Sequence, residues 1–93
     1  MVNPIVSICI PTFNRSSCLT NCLESIKQND QFPKDEVQIC ISDNCSSDNT
    51  QEVVSRAKKN LDIKYHRNER NLGIPRNFLN VVEMADGEYI WLL

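Results

Sequence analysis

The sequence lacks long apolar segments, blocks of like charge and an excess of charge of either sign. Its longest apolar stretches have only the length of a strand, and the N-terminus has neither a basic region nor a long apolar one. We therefore expect a cytoplasmic chain with no secretion signal and no transmembrane segment. Ten basic and twelve acidic side chains give a net charge of -2. This balance provides no positive field for nucleic acid, so any phosphate has to be bound locally.

The cysteine pattern lacks the features of a disulfide framework and of a zinc site. The five cysteines are an odd number, and no CxxC or HxxxH pair accompanies them. Cys9 and Cys40 lie inside apolar runs, where a thiol serves as a small hydrophobic group. Cys18 and Cys22 are one helical turn apart and could bind a metal together with Cys45, but the missing motifs argue against this. We predict no metal site in this chain.

Length and composition favour a single domain with one modest core. The chain has 93 residues, of which 41% are apolar and 24% are charged, and it contains no low-complexity segment. These values are ordinary for a folded domain near the lower end of the usual size range. We therefore treat residues 1–93 as one folding unit.

Four short apolar runs predict β-strands, at residues 5–10, 37–41, 63–65 and 88–93. The first run is nearly continuous in β-branched residues and is closed by Pro11, which is typical of a strand buried on both faces. Amphipathic helical patterns separate the strands. This alternation predicts an α/β fold with a Rossmann-like, mostly parallel sheet of about four strands and three helices.

Each predicted helix has a start signal and an apolar stripe. The start signals are Ser16 or Ser17 for the first helix, Ser47 or Asp48 in a capping box with Gln51 or Glu52 for the second, and Pro75 in the first turn of the third. The stripes that we expect to be buried are Leu19, Cys22, Leu23 and Ile26, then Val53, Val54 and Ala57, and finally Phe78, Leu79 and Val82 with Met84 and Ala85.

Three polar segments follow the first three predicted strands, at residues 11–17, 42–48 and 66–73. Parallel strands have their carboxyl ends at the same edge of the sheet, and ligands of such folds bind at that edge. We therefore expect the three segments to converge on one site.

The first polar segment combines groups that suit a nucleotide. Its residues are Pro11, Thr12, Phe13, Asn14 and Arg15, which supply a rigid exit from the strand, hydroxyl and amide groups for a ribose or phosphate, an aromatic face for a base, and a cation. The same residues also suit a plain turn that leads into a helix, and the pattern alone leaves both interpretations open.

The second polar segment places a carboxylate at the end of a buried strand. Asp43 could accept a hydrogen bond from a base N–H, and Asn44 follows it directly. The alternative is an Asx turn that leads into the second helix. The order of the two segments, each after an apolar strand and before a helix, favours a ligand site over two unrelated turns.

Three segments in this order and spacing resemble the N-terminal half of a family-2-type glycosyltransferase, namely VSICIPTFNR, VQICISDNCSSDNT and NERNLGIPRNFLNVVEMADGEYIWLL. The resemblance covers nearly the whole chain. It implies a partial GT-A fold, in which residues 1–93 are a truncated N-terminal part that binds a nucleotide sugar. It also implies a parent enzyme that transfers a sugar from a nucleoside diphosphate, here a UDP-sugar, to an acceptor with inversion at the anomeric carbon.

The resemblance also implies roles for individual residues. Pro11 and Thr12 would contact the nucleoside, Phe13 would pack against the base, Asp43 would contact the base edge, and Asn44 would support its loop. Arg76 matches the arginine that follows the family's Asn-x-Gly element, here residues 71–73, and would face the base or the diphosphate.

The family's catalytic elements are expected outside this chain. In the family, an Asp-x-Asp element that holds Mg²⁺ or Mn²⁺ comes directly after the strand equivalent to residues 88–93, and the sequence ends at Leu93. The general base of the family lies further on. We therefore assign no catalytic residue here, and we expect an inactive fragment of a bacterial enzyme of surface polysaccharide synthesis that works in the cytoplasm or at the inner face of the membrane.

A non-catalytic, doubly wound α/β binding or interaction module is the alternative. A receiver-like signalling domain needs an acidic pair after its first strand, and this chain has Pro-Thr-Phe-Asn-Arg there, whereas a simple binding module stays open. In either case a truncated sheet exposes an apolar edge, so we expect self-association.

Overall fold

Strands and helices alternate throughout residues 4–29, 31 and 33–93, which are the residues that the computed structural model describes. The elements in chain order are β1 (Val6–Thr12), α1 (Ser16–Gln28), β2 (Val37–Asp43), α2 (Thr50–Ala57), β3 (Ile63–Arg67), α3 (Ile74–Glu83) and β4 (Tyr89–Leu92). Their number and order confirm the predicted α/β fold.

All strand pairs in the sheet are parallel, and the strand order is β3-β2-β1-β4. The chain moves outward from β1 to β2 and β3, and then returns to the other side of β1 to form β4. The order therefore changes direction between β1 and β4, which is the arrangement of a doubly wound sheet with its switch point next to β1.

The two faces of the sheet are covered by different helices. Ile8 and Ile39 point to the face on which α1 and α2 pack with Leu19, Leu23 and Val54. The alternate strand positions point to the opposite face, which α3 covers. Because β2 lies between β1 and β3 and has helices on both faces, all seven of its residues are buried.

The cysteines of the central strands behave as the sequence predicts. Cys9 and Cys40 occupy paired positions in β1 and β2, have no accessible surface, and pack against Val81 of α3. Burial raises the pKa of both thiols, that of Cys40 to about 12. They therefore stay protonated and act as small core groups.

The first three strands extend further at their carboxyl ends than the sequence predicts. Pro11 does not end β1, which continues to Thr12, because Pro11 and Thr12 stay in register with Ser42 and Asp43 of β2. The Asn44 N–H donates to the Thr12 carbonyl at 2.9 Å and extends this pairing. Thr12 and Asp43 are therefore strand residues and are held more rigidly than loop residues would be.

Pro75 lies in the first turn of α3 as predicted, but the predicted caps of α1 and α2 are wrong in detail. Ser16 is the first residue of α1, and the Asp48 carboxylate of another loop accepts its N–H at 3.1 Å. Asp48 also accepts the Thr50 N–H at the start of α2, at 3.1 Å. The predicted capping box is absent from the described residues, since Glu52 pairs with Arg56 at 2.6 Å instead. One side chain thus serves the starts of two helices.

The buried face of α3 differs from the predicted one. Asn77 and Val81 are buried, whereas Phe78 and Leu79 are 40% and 55% exposed. Val82 is partly buried, as are Met84 and Ala85 after the helix. The helix is rotated toward Asn77 because this amide finds hydrogen-bond partners at the end of β2, which an apolar pattern does not record.

The β4 strand lies at an edge of the sheet and is shorter than predicted. It pairs only with β1, and residues 89–93 are between 41% and 65% exposed. The strand thus exposes apolar side chains along its whole length. None of the helices in the described part of the chain is long and apolar enough to cross a membrane.

Candidate nucleotide-binding site

The three polar segments meet at the carboxyl edge of the sheet, as their positions predict. Asn14 joins the first segment to the second, because its N–H donates to Ser46 Oγ at 2.8 Å and its Oδ1 accepts the Ser47 N–H at 2.7 Å. Asn14 has a φ of 50°, a conformation that asparagine adopts more readily than most residues. The Asn68 N–H joins the third segment to the second through the Asp43 carbonyl, at 2.8 Å. We call this set of three joined segments the rim.

Asp43 is the buried anchor of the rim. It has no accessible surface, and its two carboxylate oxygens accept hydrogen bonds from the Ser46 N–H at 2.9 Å and from the Tyr65 hydroxyl at 2.6 Å. Burial raises the pKa of Tyr65, and the hydrogen bond to Asp43 adds to this effect, so Tyr65 is a stable proton donor. Because Asp43 has no accessible surface, a contact between its carboxylate and a base edge would require neighbouring groups to move.

Asn44 connects β2 to the segment that leads into α3. It is 3% exposed. Its Oδ1 accepts the Leu72 N–H at 2.8 Å and the Asn68 amide at 3.0 Å. Its Nδ2 donates to Asn71 Oδ1 at 2.8 Å. Both ends of the Asn44 side chain are therefore engaged with protein groups.

Asn77 fixes the first turn of α3 to the end of β2. Its Oδ1 accepts hydrogen bonds from Ser42 Oγ at 2.7 Å and from the Asn68 amide at 3.0 Å, and its Nδ2 donates to the Ser42 carbonyl at 3.0 Å. Asn68 thus joins Asn44 and Asn77 through one amide nitrogen. Among the described residues, no buried side-chain nitrogen or oxygen lacks a partner, so this network is complete.

Four of the predicted site residues keep groups free for a ligand. Phe13 is 42% exposed, and Arg15 and Arg76 are exposed as well. In the residues that the structure describes, neither guanidinium makes a hydrogen bond or an ion pair. Thr12 is 7% exposed, and its hydroxyl has no partner among those residues. The rim and the first turn of α3 therefore present an aromatic face, a hydroxyl and two cations.

The predicted site residues thus fall into two groups. Thr12, Phe13, Arg15 and Arg76 face solvent or retain a free group, and Pro11 is half-buried beside them. Asn14 and Asn44 instead use their side chains to join the segments, and the Asp43 carboxylate is occupied by Ser46 and Tyr65.

Sequence reasoning missed several residues that build the rim. They are Ser46, Ser47, Tyr65, Asn68, Asn71 and Asn77. Four of them lie in the predicted polar segments, so their position was a usable signal. Asn77 carried no such signal because it lies within the apolar pattern of a helix.

The described residues do not make a metal site. No three His, Cys, Asp or Glu side chains of residues 4–29, 31 and 33–93 come together in a way that could hold an ion. Two cavities of about 300 and 270 Å³ lie away from the rim, one between α1 and β4 and the other between α1 and α2. No residue of the rim lines either cavity.

A doubly wound parallel sheet with polar loops at its carboxyl edge defines a Rossmann-like class of α/β protein, in which ligands bind at that edge. The comparison with known families agrees with this class. The family model "Glycosyl transferase family 2" matches residues 7–93, so the chain belongs to this family. The predicted resemblance is confirmed.

Two relatives illustrate the likeness in sequence. The chain is 46% identical over 90 residues to abequosyltransferase RfbV of Salmonella typhimurium, a match that covers 95% of the chain and 27% of RfbV. It is 34% identical over 85 residues to the poly(ribitol-phosphate) beta-N-acetylglucosaminyltransferase TarS of Staphylococcus aureus, a match that covers 90% of the chain and 15% of TarS. The chain therefore spans about a quarter or less of the length of these relatives.

Solved structures share the fold. TarS residues 1–349 in complex with UDP-GlcNAc match with a TM-score of 0.88 and 30% identity, over 96% of this chain and 26% of that one. The mannosyltransferase PcManGT of Pyrobaculum calidifontis, solved with GDP-Man and Mn²⁺, matches with a TM-score of 0.81 and 22% identity, over 97% of this chain and 27% of that one. These matches confirm the predicted GT-A fold.

Proposed function

We propose that this chain is the donor-nucleotide part of an inverting glycosyltransferase that transfers a sugar from a UDP-sugar to an acceptor. One observation carries the proposal. The rim and the first turn of α3 present an aromatic face, a hydroxyl and two arginines that have no partner among the described residues, at the carboxyl edge of a family-2 sheet, where ligands of such folds bind. The TarS structure in complex with UDP-GlcNAc supports a uridine nucleotide as the ligand.

The free groups of the rim suit the parts of a nucleoside diphosphate. The ring of Phe13 is available to pack against a base, and the Thr12 hydroxyl with Pro11 is available to the nucleoside. Arg76 and Arg15 supply cations for the diphosphate, which needs local charge because the chain as a whole is slightly acidic. Asp43 and Asn44 hold the rim together beneath the ligand.

Sugar transfer needs groups that we place outside these 93 residues. The fold family implies a divalent metal, Mg²⁺ or Mn²⁺, which would act as a Lewis acid toward the leaving diphosphate. The described residues do not fit such an ion, because they form no cluster of His, Cys, Asp or Glu. We therefore propose that this chain binds nucleotide weakly and does not catalyse transfer by itself, whereas the longer protein does.

The biological setting follows from the relatives by analogy. RfbV is named for the transfer of abequose, and TarS for the transfer of N-acetylglucosamine to poly(ribitol phosphate). We propose that the longer protein acts in bacterial surface polysaccharide synthesis, in the cytoplasm or at the inner face of the membrane.

Titration of the ¹⁵N-labelled chain with UDP tests the donor-site proposal. We expect shift changes at Thr12, Phe13 and Arg76, with an affinity in the range of about 0.1–1 mM because the diphosphate lacks its metal. Arg76→Ala should weaken binding, whereas Arg56→Ala should not, since Arg56 pairs with a glutamate on α2. No shift change with UDP at millimolar concentration would reject the retained donor site and favour a plain interaction module.

A further inference from the structure

The first turn of α3 combines an exposed cation, which has no partner among the described residues, with a backbone that buried amides hold on both sides. Arg76 lies between two points of attachment to the end of β2. Before it, the Asn44 side chain accepts a hydrogen bond from the Leu72 N–H at 2.8 Å and donates one to the Gly73 carbonyl at 3.4 Å. After it, Asn77 makes three hydrogen bonds with Ser42 and Asn68.

The residues between these attachment points contribute little packing of their own. Ile74 is 83% exposed, and Pro75 and Arg76 are also exposed. Pro75 restricts its own φ angle, and Gly73, with a φ of 87°, makes the turn that leads into the helix. The position of this turn therefore depends on hydrogen bonds to buried amides and not on apolar contacts.

The Asn77 amide is suited to holding this turn because it is uncharged and because both its oxygen and its nitrogen make hydrogen bonds. A leucine at this position would fit the apolar pattern of the helix but would leave the Ser42 hydroxyl and one Asn68 interaction without an acceptor. Buried polar groups that lose their partners destabilise their surroundings, so the network favours one orientation of α3.

We propose that Asn77, held by Ser42 and Asn68, is a positioning residue that fixes Arg76 in the place where it meets the bound nucleotide. This inference rests on the proposed function, because it takes the nucleoside diphosphate as the group that Arg76 contacts. A cation on a fixed backbone binds more tightly than the same cation on a mobile one, since less freedom is lost on binding.

A double-mutant cycle with UDP separates positioning from a general effect on stability. Asn77→Ala should weaken UDP binding about tenfold. This is the cost expected if the backbone of one residue has to become ordered when UDP binds. In an Arg76→Ala background the same change should alter the affinity less than about twofold, because the group that Asn77 acts on is then gone. Asn80→Ala is the matched control, since Asn80 lies one turn further along α3 and its side chain has no hydrogen bond within the described residues.

Two results would overturn the proposal. One is an equal loss of affinity from Asn77→Ala with and without Arg76, which would show a purely structural role. The other is unchanged affinity in a folded Asn77→Ala variant. If that variant does not fold, Ser42→Ala removes a single donor to Asn77 and should give a smaller loss that likewise depends on Arg76.

A second measurement needs no ligand and so distinguishes this inference from the proposed function. In the free chain, the ¹⁵N order parameter of the Arg76 amide should fall from about 0.85 to below about 0.6 in Asn77→Ala and stay high in Asn80→Ala. If the wild-type chain binds no UDP, the proposed donor site fails, and this measurement alone decides whether Asn77 fixes the turn. An equally rigid Arg76 in Asn77→Ala would refute the inference.

Discussion

Replacing Tyr65 by phenylalanine tests the buried anchor of the rim. The Tyr65 hydroxyl donates to Asp43 at 2.6 Å, and Asp43 has no accessible surface, so water cannot replace the hydroxyl without rearrangement. Hydrogen bonds to charged groups contribute about 1.5–3 kcal/mol, and we expect the lower end because Tyr65 is only half-buried. For a domain of this size, such a loss corresponds to a decrease in Tm of about 10 °C.

The same substitution should remove part of the alkaline instability of the protein. Burial and the hydrogen bond to Asp43 raise the pKa of Tyr65 above its ordinary value. The folded state therefore favours the protonated phenol. The stability that this provides is complete below about pH 10, the pKa of an unfolded tyrosine, and is lost as the pH rises above it. Because a single proton is involved, the free energy of unfolding can decrease by at most about 1.4 kcal/mol per pH unit.

Urea denaturation of wild type, Tyr65→Phe and Tyr89→Phe at several pH values between about 7 and 11 measures both effects. Tyr89→Phe is the control, because Tyr89 is 65% exposed and its hydroxyl has no partner among the described residues. Burial also raises the pKa of the Cys9 and Cys40 thiols, which can lose their protons at high pH once the chain unfolds. All three proteins share these thiols, so the difference between variants isolates Tyr65. The anchoring role of Tyr65 would be refuted by two results together. The free energy of unfolding of Tyr65→Phe would stay within about 0.5 kcal/mol of the wild-type value, and it would decrease with alkaline pH as steeply as in wild type.

Three further outcomes follow from the packing. Gly87→Ala should destabilise the fold by about 1–3 kcal/mol, because a Cβ would lie 2.8 Å from the Ser7 backbone nitrogen, and an unfolding curve equal to wild type would contradict this close approach. Iodoacetamide should label exposed Cys18 within minutes and Cys40 only after denaturation, as followed by mass spectrometry; equal rates would contradict the burial of Cys40. The chain should self-associate through the exposed edge strand β4, and Trp91→Glu should reduce this association. Sedimentation of the wild-type chain only as a monomer at low micromolar concentration would contradict the prediction.

The alternation of apolar runs and helical stripes was enough to predict the parallel α/β fold. Buried strands such as β2 need continuous apolar residues, and parallel strands need crossovers, so both features are local in the sequence. The convergence of the three polar segments followed from the same topology. The ends of the strands were harder to predict, because pairing beyond Pro11 depends on the neighbouring strand and on the Asn44 N–H that extends it.

The details of the site depended on partners that are distant in sequence. Asp48 serves two helix starts because the loop before α1 lies beside it in space, and no capping motif records that proximity. Phe78 has the stronger apolar signal in α3, yet Asn77 is the buried residue because Ser42 and Asn68 supply its hydrogen bonds from 35 and 9 positions away. Hydrophobic periodicity predicts burial from apolar side chains only, so it does not identify a buried amide whose hydrogen-bond partners lie outside the helix.

The division of the rim into buried amides and exposed cations has a consequence for ligand binding. The amides of Asn44, Asn68 and Asn77 carry no charge, so they fix the rim without repelling a diphosphate, and the carboxylate of Asp43 is covered by Tyr65 and Ser46. The charge offered to the ligand then comes from the two exposed arginines that the structure leaves unpaired. Exposed cations are screened by salt, whereas neutral buried networks are not. UDP affinity should therefore decrease with ionic strength while the free energy of unfolding changes little, because the charges that meet the ligand are exposed whereas the amides that hold the rim are buried and neutral.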